Sequence, residues 1–394
     1  MDRRACDGPG VAPWALLRAA ARRLDGMPAW AQAEGRDVVY AYQGRNAIAL
    51  LGRLIGLRPG EEVLAPAYNC GAEIDPFIEA GARVVLYDVD RGLGIDVERI
   101  TAAIRATTRI VYVTHFLGFA QPLAELARVC RSRGVILVED CAQALFSSTA
   151  EGPVGRVGDA AIYSFVKTLA VPDGGALVVN RALRVPHQTL VAPPMRLTIR
   201  RALPLFKKWV INRLGVWPAR RRSNTAARDN RSRQPRDSAG RHYAPMLRSN
   251  CFVPRQANWA MSRVSLAVLH DADATSTVSA RRRHYQYLAR ELSDVRGFAP
   301  LIPVLPEGVC PLAFPFFAAD RARWYRRLDA RGVSVQGWPG YYPGFDWHAY
   351  PGACDLKDNL LTLPIHQYLD DAHMEYVVRC VREVAAGADV DGRC

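Results

Sequence analysis

The chain predicts an α/β domain built on a mostly parallel sheet, followed by a smaller α+β unit towards its C-terminal end. Two observations carry this. From about residue 40, short β-branched runs alternate with helix-length stretches, most of them long enough for a crossover between parallel strands. Beyond residue 256 the alternation gives way to helices, a few short strands and a closing helix. The expected organisation is an N-terminal extension over 1–39, a large domain over 40–260 with an insertion at 181–255, and a small domain over 261–394.

In chain order, the strands of the large domain are expected at 62–65, 84–90, 109–116, 134–141, 160–165 and 176–180. Helical patterns lie between them at 47–55, 73–80, 97–106 and 122–133. After Asn180 the pattern stops. Residues 219–241 are rich in Arg, Ser and Asn and read as a flexible loop. A short helix is expected over 204–217, opening at Pro204, with Phe206, Val210, Leu214 and Trp217 on one face. Helices resume at 258–273 and 279–294, with strands at 313–317, 333–336 and 360–363 and a last helix at 371–385.

Composition narrows the function classes. With 49% hydrophobic and 23% charged residues, the chain is neither disordered nor fibrous. It holds no run of eighteen apolar residues, and arginines, Gly and Pro break up the start, so neither a membrane span nor a secretory signal is expected. Nine cysteines are scattered without a CxxC pair, which reads as reduced thiols in a cytoplasmic protein. No His or Cys cluster has ligand spacing, so no metal site is expected. The net charge of +14 is localised: residues 181–255 hold 18 Lys and Arg against Asp229 and Asp237, leaving 34 basic and 36 acidic residues elsewhere. A neutral body with one basic insertion fits an enzyme better than a nucleic-acid binder, and no nucleic-acid partner is expected.

Ligands on a parallel sheet sit beyond the carboxyl ends of its strands. Three segments there carry chemistry. Lys167, in Ser164-Phe165-Val166-Lys167, follows the strand at 160–165; among apolar neighbours its amine becomes a nucleophile able to form a Schiff base. Ser164 lies at the same strand end, and Gly174-Gly175 lets backbone return close to a ligand. Glu139 and Asp140 end the run at 134–141; such a carboxylate either holds a pyridinium proton or caps the next helix. Finally, Gln43-Gly44-Arg45-Asn46 opens a helix whose N-terminus offers amides to a phosphate.

The order of these motifs, with the text linking them, resembles the DegT/DnrJ/EryC1/StrS family of sugar aminotransferases, which depend on pyridoxal 5'-phosphate (PLP) and have the aspartate-aminotransferase-like fold, fold type I. The matching stretches are 57–66, 80–90, 114–118, 138–143, Gly158-Asp159, 164–167 with Gly174-Gly175, and Leu363-Pro364-Ile365-His366 before the last helix. The resemblance covers about 40–180 and 258–385. It implies that Lys167 holds PLP as a Schiff base and shuttles protons, that Asp140 partners the pyridine nitrogen, and that Gln143 sits beside the phenolic oxygen. Ser164 and the backbone at Arg45 and Asn46 are implied phosphate contacts. Cys70 stands where the family has a stacking aromatic, so Tyr68 or His115 takes over that role or is a core residue. The family's phosphate contact from a neighbouring subunit has only a poor match here, near Asn250 and Arg255.

The implied activity is transfer of an amino group from an amino acid, glutamate by family habit, to a keto sugar, nucleotide-linked, by a homodimer, in polysaccharide, glycan or secondary-metabolite biosynthesis. Lysine rather than histidine at 167 favours amination over sugar dehydration. Two alternatives stay open: a PLP-fold protein that binds a ligand or membrane without turnover, or a different PLP reaction on the same scaffold. Three readings fit the insertion at 181–255: a solvated loop, a peripheral contact with an anionic membrane at its inner face, or a contact to the diphosphate of a sugar nucleotide.

Overall fold

In the computed structural model, which describes residue 10 and residues 37–180, 190–214, 252–318, 320–337 and 340–387, the alternating stretch forms one seven-stranded sheet. Along the chain come β1 (Asp37–Ala41), α1 (Gly44–Leu54), β2 (Glu62–Pro66), α2 (Asp75–Glu79), β3 (Arg83–Tyr87), α3 (Val97–Ala103), β4 (Thr108–Thr114), α4 (Ala124–Ser132) and β5 (Ile136–Asp140). A small ribbon, β6 (Ser148–Thr149) with β7 (Gly152–Pro153), precedes β8 (Ala160–Ser164) and β9 (Gly175–Val179). The spatial order is β1-β9-β8-β5-β4-β2-β3. From β3 to β8 all neighbours are parallel, and β9 runs antiparallel to both β8 and β1.

The near-continuous apolar runs are explained by cover on both faces: β2, β5, β8 and β9 are buried at every position. The edge strand β1 is absent from the expected strands and begins inside the expected N-terminal extension. Its five residues carry little pattern of their own, and pairing with β9 makes it a strand.

The second unit forms a four-stranded antiparallel sheet, ordered β10 (Phe298–Pro300), β11 (Phe314–Ala318), β13 (Leu360–Leu363), β12 (Gln336–Gly337). Around it lie α6 (Arg263–His270), α7 (Ala274–Glu291), α8 (Arg321–Ala330), α9 (Pro351–Asn359) and α10 (Asp371–Ala385). Phe298 stacks on Phe316 at 4.3 Å between ring centroids, with Trp324 of α8 edge-on to Phe316 at 6.0 Å. The closing helix opens on a capping box: Asp370 accepts from the His373 N–H while the His373 ring accepts from the Asp370 N–H. The structure thus has the expected fold class, and it places the C-terminal unit against the carboxyl ends of the large sheet.

One helix departs from expectation. α5 (Met195–Leu214) starts nine residues before Pro204, which lies inside it. A proline costs a helix one amide bond, and here the helix runs on through it. Ile211 and Asn212 are buried, Phe206 is exposed and Val210 half-buried, so the expected apolar face is not the one that packs. Met195, Ile199 and Leu203 stay largely exposed. Trp217 and the expected loop at 219–241 lie outside the described residues. No described helix is long and apolar enough to cross a membrane.

Candidate active site

β2, β4, β5 and β8 are neighbours, so the segments leaving their carboxyl ends converge on one region. There a cavity of about 370 Å³ opens between the two sheets. Tyr68, Cys70, Gln143 and Lys167 of the large unit line it, and 363–366, the segment noted in the sequence, closes it from the C-terminal unit.

Lys167 ends a 3-10 turn (Phe165–Lys167) that continues β8, and it lines the cavity. Asp140, the last residue of β5, is 1% exposed. Burial drives its pKa up, the Lys167 charge pulls it down, and Glu73 pushes it up again. Its Oδ1 accepts the Ala142 N–H at 2.8 Å. The cap-like bond weighed from the sequence is therefore present, but on a carboxylate that also feels Lys167.

The adjacent Glu139 has a different task, because successive strand residues face opposite sides of a sheet. It accepts the amides of Gly155, Val157 and Gly158 at 3.0, 2.7 and 2.7 Å and bonds His115 Nε2 at 2.9 Å. Burial opposes its charge, yet His115 and these amides hold its pKa below the usual carboxylate value. Glu139 is a structural anchor for residues 155–158.

His115 is 1% exposed, and both ring nitrogens are engaged: Nδ1 accepts from the Gln121 N–H at 3.0 Å, which makes Nε2 the proton-bearing atom facing Glu139. It does not line the cavity, so of the two candidates for ring stacking only Tyr68 faces the site. Tyr68 is backed by Phe116 at 5.3 Å between centroids. His115, Glu139 and Cys141 bring potential ligand atoms within 4.8 Å of one another. The hydrogen bonds just described occupy both nitrogens of His115 and both oxygens of Glu139. Cys70 also faces the cavity; its thiol bonds Glu73 at 2.8 Å, and burial followed by the Glu73 charge raises its pKa well above the usual thiol value.

Gln143 is 1% exposed and reaches the cavity. Its Oε1 accepts the Leu117 N–H at 3.1 Å, while its Nε2 is buried with no partner among the described residues. Leu117 holds the left-handed region at φ 53°, strain that a leucine adopts only when its surroundings fix it. That backbone orients the Gln143 amide. An orphaned donor aimed into a cavity is an expensive feature unless a ligand accepts from it.

Ser164 ends β8 against the N-terminus of α1. A Cβ at Gly44 would stand 3.3 Å from Ser164 Cβ, and a Cβ at Gly175 only 2.4 Å from the Gln43 carbonyl carbon and Gly44 N. These glycines let the end of β8 and the start of β9 pack close against the N-terminus of α1, whose backbone amides suit an anion. The Asn46 N–H donates to Gln43 O at 3.0 Å, and its Nδ2 donates to Gln256 O at 2.5 Å. The Arg45 side chain is largely buried, and its charge is felt at Cys70, Asp75 and Glu73.

Three basic residues near the site were not singled out from the sequence. Arg281 of α7 is 1% exposed and donates to the carbonyls of Pro311, Leu312 and Thr168, bracing the segment after Lys167. Arg281-Arg282-Arg283 reads as a solvated charge run, and only packing distinguishes the first member. Lys208 of α5 lines the cavity. Arg201, also on α5, reaches the N-terminus of α1.

Known proteins align with this geometry. The sequence pattern of the DegT/DnrJ/EryC1/StrS aminotransferase family matches residues 35–185. The GDP-perosamine synthase of Vibrio cholerae is 30% identical over 158 residues, 38% of this chain and 43% of that protein. The dTDP-4-dehydro-2,3,6-trideoxy-D-glucose 4-aminotransferase of Saccharopolyspora spinosa is 34% identical over 163 residues, 39% of this chain and 42% of that one. The chain thus spans less than half the length of these curated relatives. The crystal structure of the aminotransferase TlmJ from Streptoalloteichus hindustanus superposes with a TM-score of 0.65 at 23% identity, covering 96% of this chain and 92% of that one. At that identity it shows a shared fold.

Proposed function

We propose that the chain is a distant member of the DegT/DnrJ/EryC1/StrS aminotransferase family, whose pattern matches residues 35–185, and that it is a PLP-dependent aminotransferase moving an amino group from an amino acid, glutamate, to a nucleotide-linked keto sugar. The observation that carries the reading is Gln143 Nε2, a buried donor without a partner among the described residues, in the cavity shared with Lys167. Its position fits the phenolic oxygen of the cofactor. The N-terminus of α1, with Ser164 close beside Gly44, fits the phosphate.

The bound cofactor supplies an aldehyde that takes up the donor's amino group and a ring that accepts electrons from the broken C–H bond. The chain's own residues do the rest. Lys167 Nζ would hold the cofactor by its carbonyl and, once released, would serve as the base and acid that moves a proton at the substrate carbon. The Asp140 carboxylate would hold a proton on the ring nitrogen; a buried anion is stabilised by such a cationic partner, which would remove the penalty its isolation imposes. Gln143 Nε2 would donate to the ring oxygen, and Tyr68 would flank the ring. The segment at 363–366 closes the cavity and excludes water.

For the acceptor, both relatives named above carry a nucleotide in their names, GDP in one and dTDP in the other. In this chain Lys208 stands at the cavity, where an ammonium suits a diphosphate. A homodimer is the working assembly on the family resemblance.

The test is the visible absorption spectrum of the protein with PLP, before and after glutamate. We expect a band of the lysine-linked cofactor that is absent in Lys167→Ala and bleaches when glutamate is added. A band that survives in Lys167→Ala overturns the role of that residue. A band indifferent to every amino acid overturns transamination in favour of another PLP reaction, and absence of any band favours a binding protein without turnover.

A further inference from the structure

Arg281 is a buried cation whose bonds reach three separate segments around the cavity. It lies on α7, 1% exposed, at the cavity wall. Burial disfavours its charge. The four bonds that the structure gives it all end on carbonyl oxygens. Nη1 donates to Pro311 O at 3.1 Å and Leu312 O at 2.9 Å, Nη2 to Thr168 O at 3.3 Å, and Nε to Gln367 Oε1 at 2.9 Å. A planar guanidinium with five N–H groups in a fixed fork can hold three segments at once; an ammonium presents a single point.

These segments lead to residues of the candidate site. Thr168 follows Lys167, and its carbonyl also accepts from Gln367 Nε2 at 3.0 Å. Two residues on, the Ala170 N–H donates to Tyr368 Oη at 3.1 Å. The backbone leaving Lys167 is therefore held by the C-terminal unit, from α7 and from the residues just after the closing segment 363–366. That segment is tied to the same helix: His284, three residues beyond Arg281, bonds Ile365 O through Nδ1 at 3.2 Å. On the other side, Leu312 donates its N–H to Leu117 O at 2.9 Å, and the Leu117 N–H meets Gln143 Oε1 at 3.1 Å. Lys167 and Gln143 thus share one support.

We propose that Arg281, with Gln367, is a positioning residue of the cofactor site: acting through Thr168 and Leu117, it fixes where Lys167 Nζ and the Gln143 amide stand and ties both to the seating of the C-terminal unit. This rests on the reading of the cavity as a PLP site.

The experiment separates the covalent link from the other contacts of the cofactor. PLP is joined to the protein by a C=N bond, formed from its aldehyde and Lys167 Nζ with loss of water. Pyridoxamine 5'-phosphate (PMP) carries an amine at that carbon and forms no such bond. Dissociation constants for PLP and PMP are measured in the full chain and in Arg281→Lys, Gln367→Ala and Arg283→Ala. In Arg281→Lys, PLP should weaken at least about tenfold more than PMP, because a displaced Lys167 affects only the covalent link. Gln367→Ala removes one of the two donors to Thr168 O from a half-buried residue. It should shift the ratio the same way by about two- to tenfold, and it carries the test if Arg281→Lys does not fold. Arg283→Ala, on the exposed side of α7, should behave as the parent. Equal weakening of PLP and PMP in both variants would mean that Arg281 only braces the fold, and parent-like affinities in both would exclude any effect on Lys167; either overturns the proposal while the parent's lysine-linked band stands. A parent without that band overturns the PLP reading itself, and the proposal with it.

Discussion

Lys357 offers a quantitative test of how the C-terminal unit meets the site. It lies on α9, 4% exposed, and donates to Asn69 O at 2.6 Å and to Gly340 O at 3.5 Å. Trp347 stands 5.1 Å from its Nζ, with Tyr68 and Tyr341 each at 5.8 Å. Burial lowers its pKa from 10.5 to about 8, against the opposing pull of Glu73, Cys70, Cys354 and Asp358. A folded-state pKa below the unfolded one means that the unfolded chain binds more protons between the two values, so stability rises with pH across that window. At pH 7 both states are protonated and the folded state carries the whole penalty, roughly 3 kcal/mol at 1.36 kcal/mol per unit. By pH 10 about 2.5 kcal/mol of it should be relieved. Lys357→Met keeps the apolar stem and removes the charge. It also deprives Asn69 O of its donor, a loss of about 1–3 kcal/mol that does not vary with pH. Urea unfolding of both proteins at pH 7, 8.5 and 10 isolates the titrating part, since effects of other groups cancel in the difference. The parent should gain on the variant by about 2–3 kcal/mol from pH 7 to 10. A difference that stays flat, or moves against the parent, would refute the claim that this lysine is buried as a strained cation.

Two further outcomes follow from the site's scaffold. Glu139→Gln turns an acceptor for three amides and His115 into a group that also donates, and should lower the unfolding free energy by about 3 kcal/mol or more in urea titrations; hydrogen exchange should speed up first at residues 155–158, and unchanged protection there would count against the anchor role. Gly175→Ala places a methyl 2.4 Å from backbone atoms of Gln43 and Gly44, atoms that cannot swing aside. Destabilisation of about 1–3 kcal/mol is expected together with weaker PLP binding, and wild-type affinity in a stable variant would show that the α1 N-terminus has no part in the pocket.

Much of the large sheet was legible because its signal is local. A strand buried on both faces must be a continuous apolar run, as at β5 and β8, and the residue that ends such a run stands out whatever surrounds it. Lys167 and Asp140 stood out for that reason, Gln143 entered only through the family resemblance, and the final strand and helix matched their expected bounds of 360–363 and 371–385. Residues whose role depends on a partner far along the chain were not visible. His115 has its ring nitrogens spent on Glu139 and the Gln121 amide, a fact no reading of Thr114-His115-Phe116 contains. Glu139 and Asp140 look interchangeable as neighbours, and the pleat of β5 sends one to a structural loop and the other towards Lys167.

By itself, then, the sequence determined the alternation of strands and helices, the strand ends where candidate site residues stand and the family that the chain resembles, because periodicity and motif order are written in adjacent residues. Tertiary structure alone decided which charges are buried and against what. Arg281 and Arg282 are neighbours in one charge run, yet the first is buried and the second is not, and Lys357 meets Asn69 across 288 positions of chain. Burial of a charge is a property of the surfaces that close around it, and those surfaces come from segments that the fold, and not the order of residues, brings together.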